Sequence, residues 1–264
     1  MPEYTISLLF WIVPVVLIAV FIEKKHLLTS RKKKAFFITV AVLALAGCIL
    51  DLLFARLFFT FPNRSMILGW YITGIPVEEF VFYITGFWFI LFLYVFSDEW
   101  FLKKYNPDDT VYARFASRLR RLIFPHGSSV ITYLILLVTG IGIKFVFNRD
   151  GAFLPGYYVF LLTVAYIPMI LFYRVTKKFV NWRAFSFTLL VTVLLSIIWE
   201  VTLALPRGYW GYNKDHMLGI FAPAWSNLPI EAVSVWMFST LVILVYEFLK
   251  ISYFTKSRAE RRVR

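Results

Sequence analysis

Charge is scarce in this chain, acidic charge most of all, and cysteine is nearly absent. Charged residues make up 16% of the 264 positions and hydrophobic ones 60%, which leaves too little polar surface for a water-soluble domain. The single cysteine, Cys48, excludes a disulfide within the chain and lies in an apolar run, where a buried thiol is the simplest role. His26, His126 and His216 are scattered without ligand spacing, so no metal site is expected. Gly140-Ile141-Gly142 lacks the third glycine and downstream acid of a dinucleotide fingerprint, and no cofactor is expected either. A formal charge of +13 raises the question of nucleic acid. The basic residues, however, cluster between apolar runs, which is the pattern of membrane orientation, and no nucleic-acid partner is expected.

What the chain does contain is seven apolar runs of membrane length, at 4–22, 35–59, 76–97, 129–147, 153–173, 182–205 and 229–249. The start, Met1-Pro2-Glu3, lacks the basic region of a signal peptide, so the first run is expected to be a retained span. Of the 28 lysines and arginines, 22 lie after spans one, three, five and seven, and Arg56, Arg64, Lys144, Arg149, Arg207 and Lys214 lie on the other side. The positive-inside rule then sets the N-terminus outside and the C-terminus in the cytoplasm of a multi-pass cell-membrane protein. The polar, basic stretch 98–127 reads as a cytoplasmic connector, with a short interfacial helix expected around 112–124.

The chain also writes one pattern twice. Ile49-Leu50-Asp51 matches Ile198-Trp199-Glu200, and the segment from Arg56 to Pro62 matches that from Arg207 to Asn213. Met66 and Gly69 match Met217 and Gly219, and Pro76-Val77-Glu78-Glu79 matches Pro229-Ile230-Glu231-Ala232. The halves are separated by an odd number of spans, so both cross in one direction. The expected fold is an all-α integral membrane protein of seven transmembrane helices, with two parallel repeats, spans one to three and five to seven, joined by span four. The corresponding units are 1–97 for the first repeat, 98–152 for connector and span four, and 153–264 for the second repeat and its basic tail.

An acidic side chain at membrane depth costs up to about 2.5–3.5 kcal/mol near the bilayer centre, so five of them gathered in one third of the membrane demand a use. Asp51 and Glu200 approach the ends of spans two and six, while Glu78, Glu79 and Glu231 open spans three and seven behind Pro76 and Pro229. Burial and a second carboxylate both favour the protonated form of a carboxyl group, which makes such an acid a proton donor in an apolar place. Facing an alkene, it would generate a carbocation that aromatic faces stabilise and another carboxylate quenches. Trp70, Tyr71, Phe80, Tyr83, Tyr209, Trp210, Tyr212 and Trp236 are the rings near the motif. Glu78 and Glu79 project about 100° apart on a helix, so both cannot point into one cleft. Glu79 shares a face with Tyr83, whose hydroxyl is its expected partner. Glu78 corresponds to Glu231, whereas Glu79 corresponds to Ala232, which marks the first repeat as the reactive half. Two plainer roles stand beside these: the glutamates as helix caps, and Asp51 and Glu200 as ion-pair partners of Arg56 and Arg207.

The doubled Pro-x-Glu unit, each copy preceded by an acidic span end, resembles the heterodimer-type lycopene cyclases of bacteria and archaea and the cyclase half of the fungal bifunctional carotenoid enzymes. Gly208-Tyr209-Trp210-Gly211-Tyr212, Gly219 and Pro229-Ile230-Glu231 resemble the second unit of that family, and Pro76-Val77-Glu78-Glu79-Phe80 with Phe82 the first. Phe58-Phe59-Thr60-Phe61 stands where the family pattern has its tryptophan segment, and Ala232 where it has an acid. The resemblance implies acid-catalysed closure of the psi-end of lycopene or a related acyclic carotenoid to an ionone ring, without net redox change. It implies membrane lipid around the protein and a lateral opening for the polyene, with action alone and action as a homo-oligomer both left open. Two other readings remain open here: a carotenoid hydratase, in which water captures the cation, and a non-catalytic seven-span carotenoid-binding or transport protein. A CAAX-type protease is disfavoured, since no arginine follows in span three, and the absence of a lysine in span seven before Lys250 argues against a retinal Schiff base.

Overall fold

The computed structural model describes residues 2–106, 127–234 and 237–263. Among the described residues seven helices are long and apolar enough to cross a membrane: Glu3–Lys24, Ser30–Phe58, Val77–Phe101, Gly127–Phe147, Gly156–Thr176, Trp182–Arg207 and Ile230–Ser252. They match the seven runs read from the sequence, with shifted ends. Span two starts at Ser30 because Thr29 is extended, so Arg31 to Lys34 form its first turns instead of a loop. Span three continues past Ser97 through a wide π turn, Ser97–Phe101, that carries Asp98 and Glu99 into the protein. The expected interfacial helix at 112–124 lies outside the described residues.

Spans three and seven are the most buried of the seven and pack on each other. Span three packs on spans one, two, six and seven, and span seven on spans two and five, so the two repeats wrap around each other. The repeat is visible down to single hydrogen bonds. After span two come β1 (Phe59–Thr60), a 3-10 turn at Arg64–Met66 and a hairpin of β2 (Tyr71–Ile72) with β3 (Ile75–Pro76). After span six come β4 (Gly211–Tyr212), a 3-10 turn at Lys214–His216 and a hairpin of β5 (Phe221–Ala222) with β6 (Leu228–Pro229). Asn63 and Asn213 cap their turns in the same way, accepting from the amides of Ser65 and Asp215. Gly69 and Gly219 both take a positive φ, 81° and 96°, which only glycine adopts without strain.

The two repeats join through each other's equivalent parts. β1 pairs antiparallel with β4, Phe59 opposite Tyr212 and Thr60 opposite Gly211. Asn63 donates to the carbonyl of Arg207, and Asn213 donates to that of Leu57. Such a reciprocal exchange, its residues within one position of the sequence match, is what a pseudo-twofold axis along the bundle requires.

At the end of the bundle away from the hairpins sits a buried ionic cluster. Lys32 of span two meets Glu99 of span three at 2.7 Å, and Lys250 of span seven meets Glu247 at 2.6 Å and Asp98 at 3.7 Å. The Tyr94 hydroxyl donates to Glu247 over 3.0 Å, tying span three to span seven. Removing one member of such a buried pair costs about 3–5 kcal/mol, so this end is held shut.

Candidate active site

At the hairpin end, the crossing of the two repeats leaves a cavity of about 140 Å³. Its lining is mostly apolar and aromatic, and it contains three carboxyl groups: Asp51 from span two, Glu79 from span three and Glu200 from span six. Both repeats therefore contribute acids to one space. Phe82, Trp199 and Trp210 form a continuous ring wall beside them, with Phe82 stacked on Trp199 at 5.0 Å and Trp199 against Trp210 at 5.0 Å.

Each acid is held differently. Glu79 accepts a hydrogen bond of 2.7 Å from the hydroxyl of Tyr4, at the very start of span one. Tyr4 is fully buried, stacked on Tyr209 at 4.9 Å and edge-on to Trp210 at 5.7 Å, so the second repeat fixes the residue that orients the acid of the first. This corrects the expected Glu79–Tyr83 pairing. Span one brings Tyr4 over Glu79, and Tyr83, one turn further on, addresses Asp51 across the gap to span two instead. Glu200 opens a π turn in span six, Glu200–Ala204, a local widening common at functional sites. Its carboxylate accepts from the Tyr212 hydroxyl. Burial first, then the charge of Glu200, pushes the Tyr212 phenol well above its ordinary value, so it stays a donor.

The remaining two carboxylates face away from the cavity. Glu78 accepts from the backbone amide of Leu68 at 2.6 Å and from the Thr5 hydroxyl at 3.0 Å. Glu231 accepts from the amide of Leu218, the equivalent position in the second repeat. The 100° turn between Glu78 and Glu79 explains the division, since one reaches the loop before its helix and the other reaches the cavity.

The arginines do not neutralise the site. Arg207 pairs with Glu3 at 3.4 Å, and the Arg56 guanidinium lies over Gly74, where a Cβ would fall 1.6 Å from its Nη2. Among the described residues Asp51 and Glu200 have no ion pair, which corrects the pairing expected from spacing. Pro76 and Pro229 sit in the strands just before their helices rather than in the first turn.

Of the rings singled out from the sequence, Tyr83, Trp210 and Tyr212 line the cavity, and Tyr209 supports Tyr4 from behind. Phe80 is buried in a separate cluster with Ala55 and Ile75. Trp70 is 72% exposed and Tyr71 is exposed on β2, outside the cavity. Trp236 lies outside the described residues. Sequence reading missed Tyr4, Phe82 as a wall, Trp199, and Phe54, Phe58, Tyr157 and Phe160 on the opposite side. Trp199 had a usable signal, being adjacent to Glu200. Among the described residues no three metal-ligating side chains are grouped to hold an ion.

The family model described as Lycopene cyclase matches residues 3–97 and 155–249. The two matched segments coincide with spans one to three and five to seven, the same units that the axis relates. No match was found among curated proteins or among solved structures.

Proposed function

We propose, since this chain belongs to the lycopene cyclase family, that it closes the psi-end of an acyclic carotenoid to a β-ionone ring by proton transfer alone. The observation that carries this reading is the convergence of Asp51, Glu79 and Glu200 on one ring-lined cavity between the repeats. Three carboxylates of one sign in one apolar hollow, with no cation paired to them among the described residues, cannot all be ionised together, so one proton is held among them. A neutral carboxyl held by Tyr4 is then a proton donor aimed at whatever fills the cavity.

In this mechanism Glu79 gives its proton to the terminal double bond of the substrate and leaves a tertiary carbocation. The neighbouring double bond attacks that carbon, a carbon–carbon bond forms, and the charge moves into the new ring. The ring walls of Phe82, Trp199 and Trp210 offer their negative faces to the cation, worth up to about 2 kcal/mol per desolvated contact. Asp51, whose Oδ2 has no hydrogen-bond partner among the described residues, takes the departing ring proton. One proton goes in and one comes out, so no electrons are exchanged. Glu200, already receiving the Tyr212 hydroxyl, serves as a fixed negative charge near the cation. The apolar lining supports ring closure over capture by water. The bias of 22 basic residues against six supports an orientation with the C-terminus in the cytoplasm.

Expression in a host that accumulates lycopene, with chromatography of the pigments, tests the reading. Cyclised carotenoid is expected; unchanged lycopene beside inserted protein removes the proposed substrate, and a hydroxylated acyclic pigment identifies a hydratase.

A further inference from the structure

The cavity is far smaller than a long polyene. At about 140 Å³ it is close to the ~150 Å³ of an engineered protein cavity that takes up one benzene, so it holds one ring-sized end group and the rest of the chain must lie outside. The way out can be read from the walls. On the side of spans one and six the cavity is closed by Trp199, with Tyr4 and Trp11 packed against it, none of the three more than 1% exposed. Trp11 and Trp199 meet edge to face at 6.0 Å there. On the side of spans two and five the wall is a set of phenylalanine rings. Phe54 and Phe160 are 5.4 Å apart between centroids, and Phe58 and Phe160 5.2 Å. Phe54 lines the cavity and is at the same time 37% exposed on the lipid-facing side of span two, beside Leu53 at 68%. Only side chains separate cavity from lipid at that point, and side chains can swing where packed helices cannot.

The depth of the cavity also has a visible cause. Span three lines it with one face, from Glu79 through Phe82 and Gly86 to Ile90. Glycine weakens a helix interior, yet Gly86 is buried there, and a Cβ added to it would meet nothing within 4 Å. Gly86 lies two turns beyond Glu79, about 10 Å along the axis. Its missing side chain is the space that an end group reaching from the acid would occupy.

We propose that a linear carotenoid inserts one end between spans two and five, past Phe54 and Phe160, with Gly86 setting how deep that end lies. This rests on the reading of the substrate given above.

The test uses lycopene uptake by the full-length membrane-reconstituted protein, followed by quenching of tryptophan fluorescence, a readout independent of ring formation. Phe54→Cys and Phe160→Cys are combined in a Cys48→Ala background and bridged with a short, reductively cleavable dithiol-reactive linker. The bridge is expected to lower the uptake rate at least tenfold, with recovery after reduction. Gly86→Leu is expected to lower uptake by a similar factor at unchanged melting temperature, with a smaller loss for Gly86→Ala. Uptake indifferent to both the bridge and Gly86→Leu overturns the proposal, as does an absence of uptake by the unmodified protein. Uptake that the bridge blocks, by a protein that without the bridge takes up lycopene and returns it unchanged, instead sinks the cyclase reading and leaves the port standing.

Discussion

The two repeats open their last spans almost alike, with Pro-Val-Glu-Glu in one and Pro-Ile-Glu-Ala in the other, and one side chain separates their roles. Glu78 and Glu231 do the same job, each accepting the amide of a leucine, Leu68 or Leu218, ten or more residues upstream. That duty fixes the loop before the helix. Glu79 has no such duty and faces the cavity under the hydroxyl of Tyr4, whereas Ala232 is buried and inert. Duplication supplied two equivalent scaffolds, and the difference lies in which of them carries a free acid. The second repeat is not idle: it lends Glu200, Trp199 and Trp210 to the same cavity and packs Tyr209 behind Tyr4.

This contrast can be broken most severely at Glu79. Glu79→Gln keeps shape and hydrogen bonding but cannot donate an acidic proton, and cyclised pigment is expected to fall by about 10²–10⁴-fold, the usual worth of a general acid. Glu78→Ala and Glu231→Ala sharpen it next. Each leaves a loop amide without its partner, so each is expected to lose about 1–3 kcal/mol of stability, read as a lower melting temperature in detergent. Activity per folded molecule is expected to survive in both far better than in Glu79→Gln. The smallest effect belongs to Arg207→Ala. It removes a half-open ion pair with Glu3, side chains 56% and 37% exposed, worth about 0–1 kcal/mol in a thermal scan.

Much of this was legible in the residues. Hydropathy alone gave seven spans, because each membrane crossing needs about 20 apolar residues and the chain separates them with charge. The doubling was legible because Pro-x-Glu recurs, and the asymmetry because alanine stands for an acid at position 232. Tyr4 was not legible, since nothing local says that the first turn of span one folds back over the start of span three. Phe54, Phe58 and Phe160 were hidden among 29 phenylalanines, most of which face lipid or core. The arginine pairings failed for a related reason. Spacing set Arg56 near Asp51 along one helix, but the hairpin offers its guanidinium the open face of Gly74, away from the cavity. The buried cluster of Lys32, Asp98, Glu99, Glu247 and Lys250 was missed because all of its members but Glu247 lie just outside the apolar runs that define the spans in sequence, on turns by which the helices extend them.

Ring formation in deuterium oxide addresses the central claim most directly. If an exchangeable carboxyl starts the reaction and another ends it, each ring formed from lycopene carries one deuterium in place of one hydrogen, and the product keeps the hydrogen count of the substrate. Rings without deuterium, or a product that has gained the elements of water, would contradict the account.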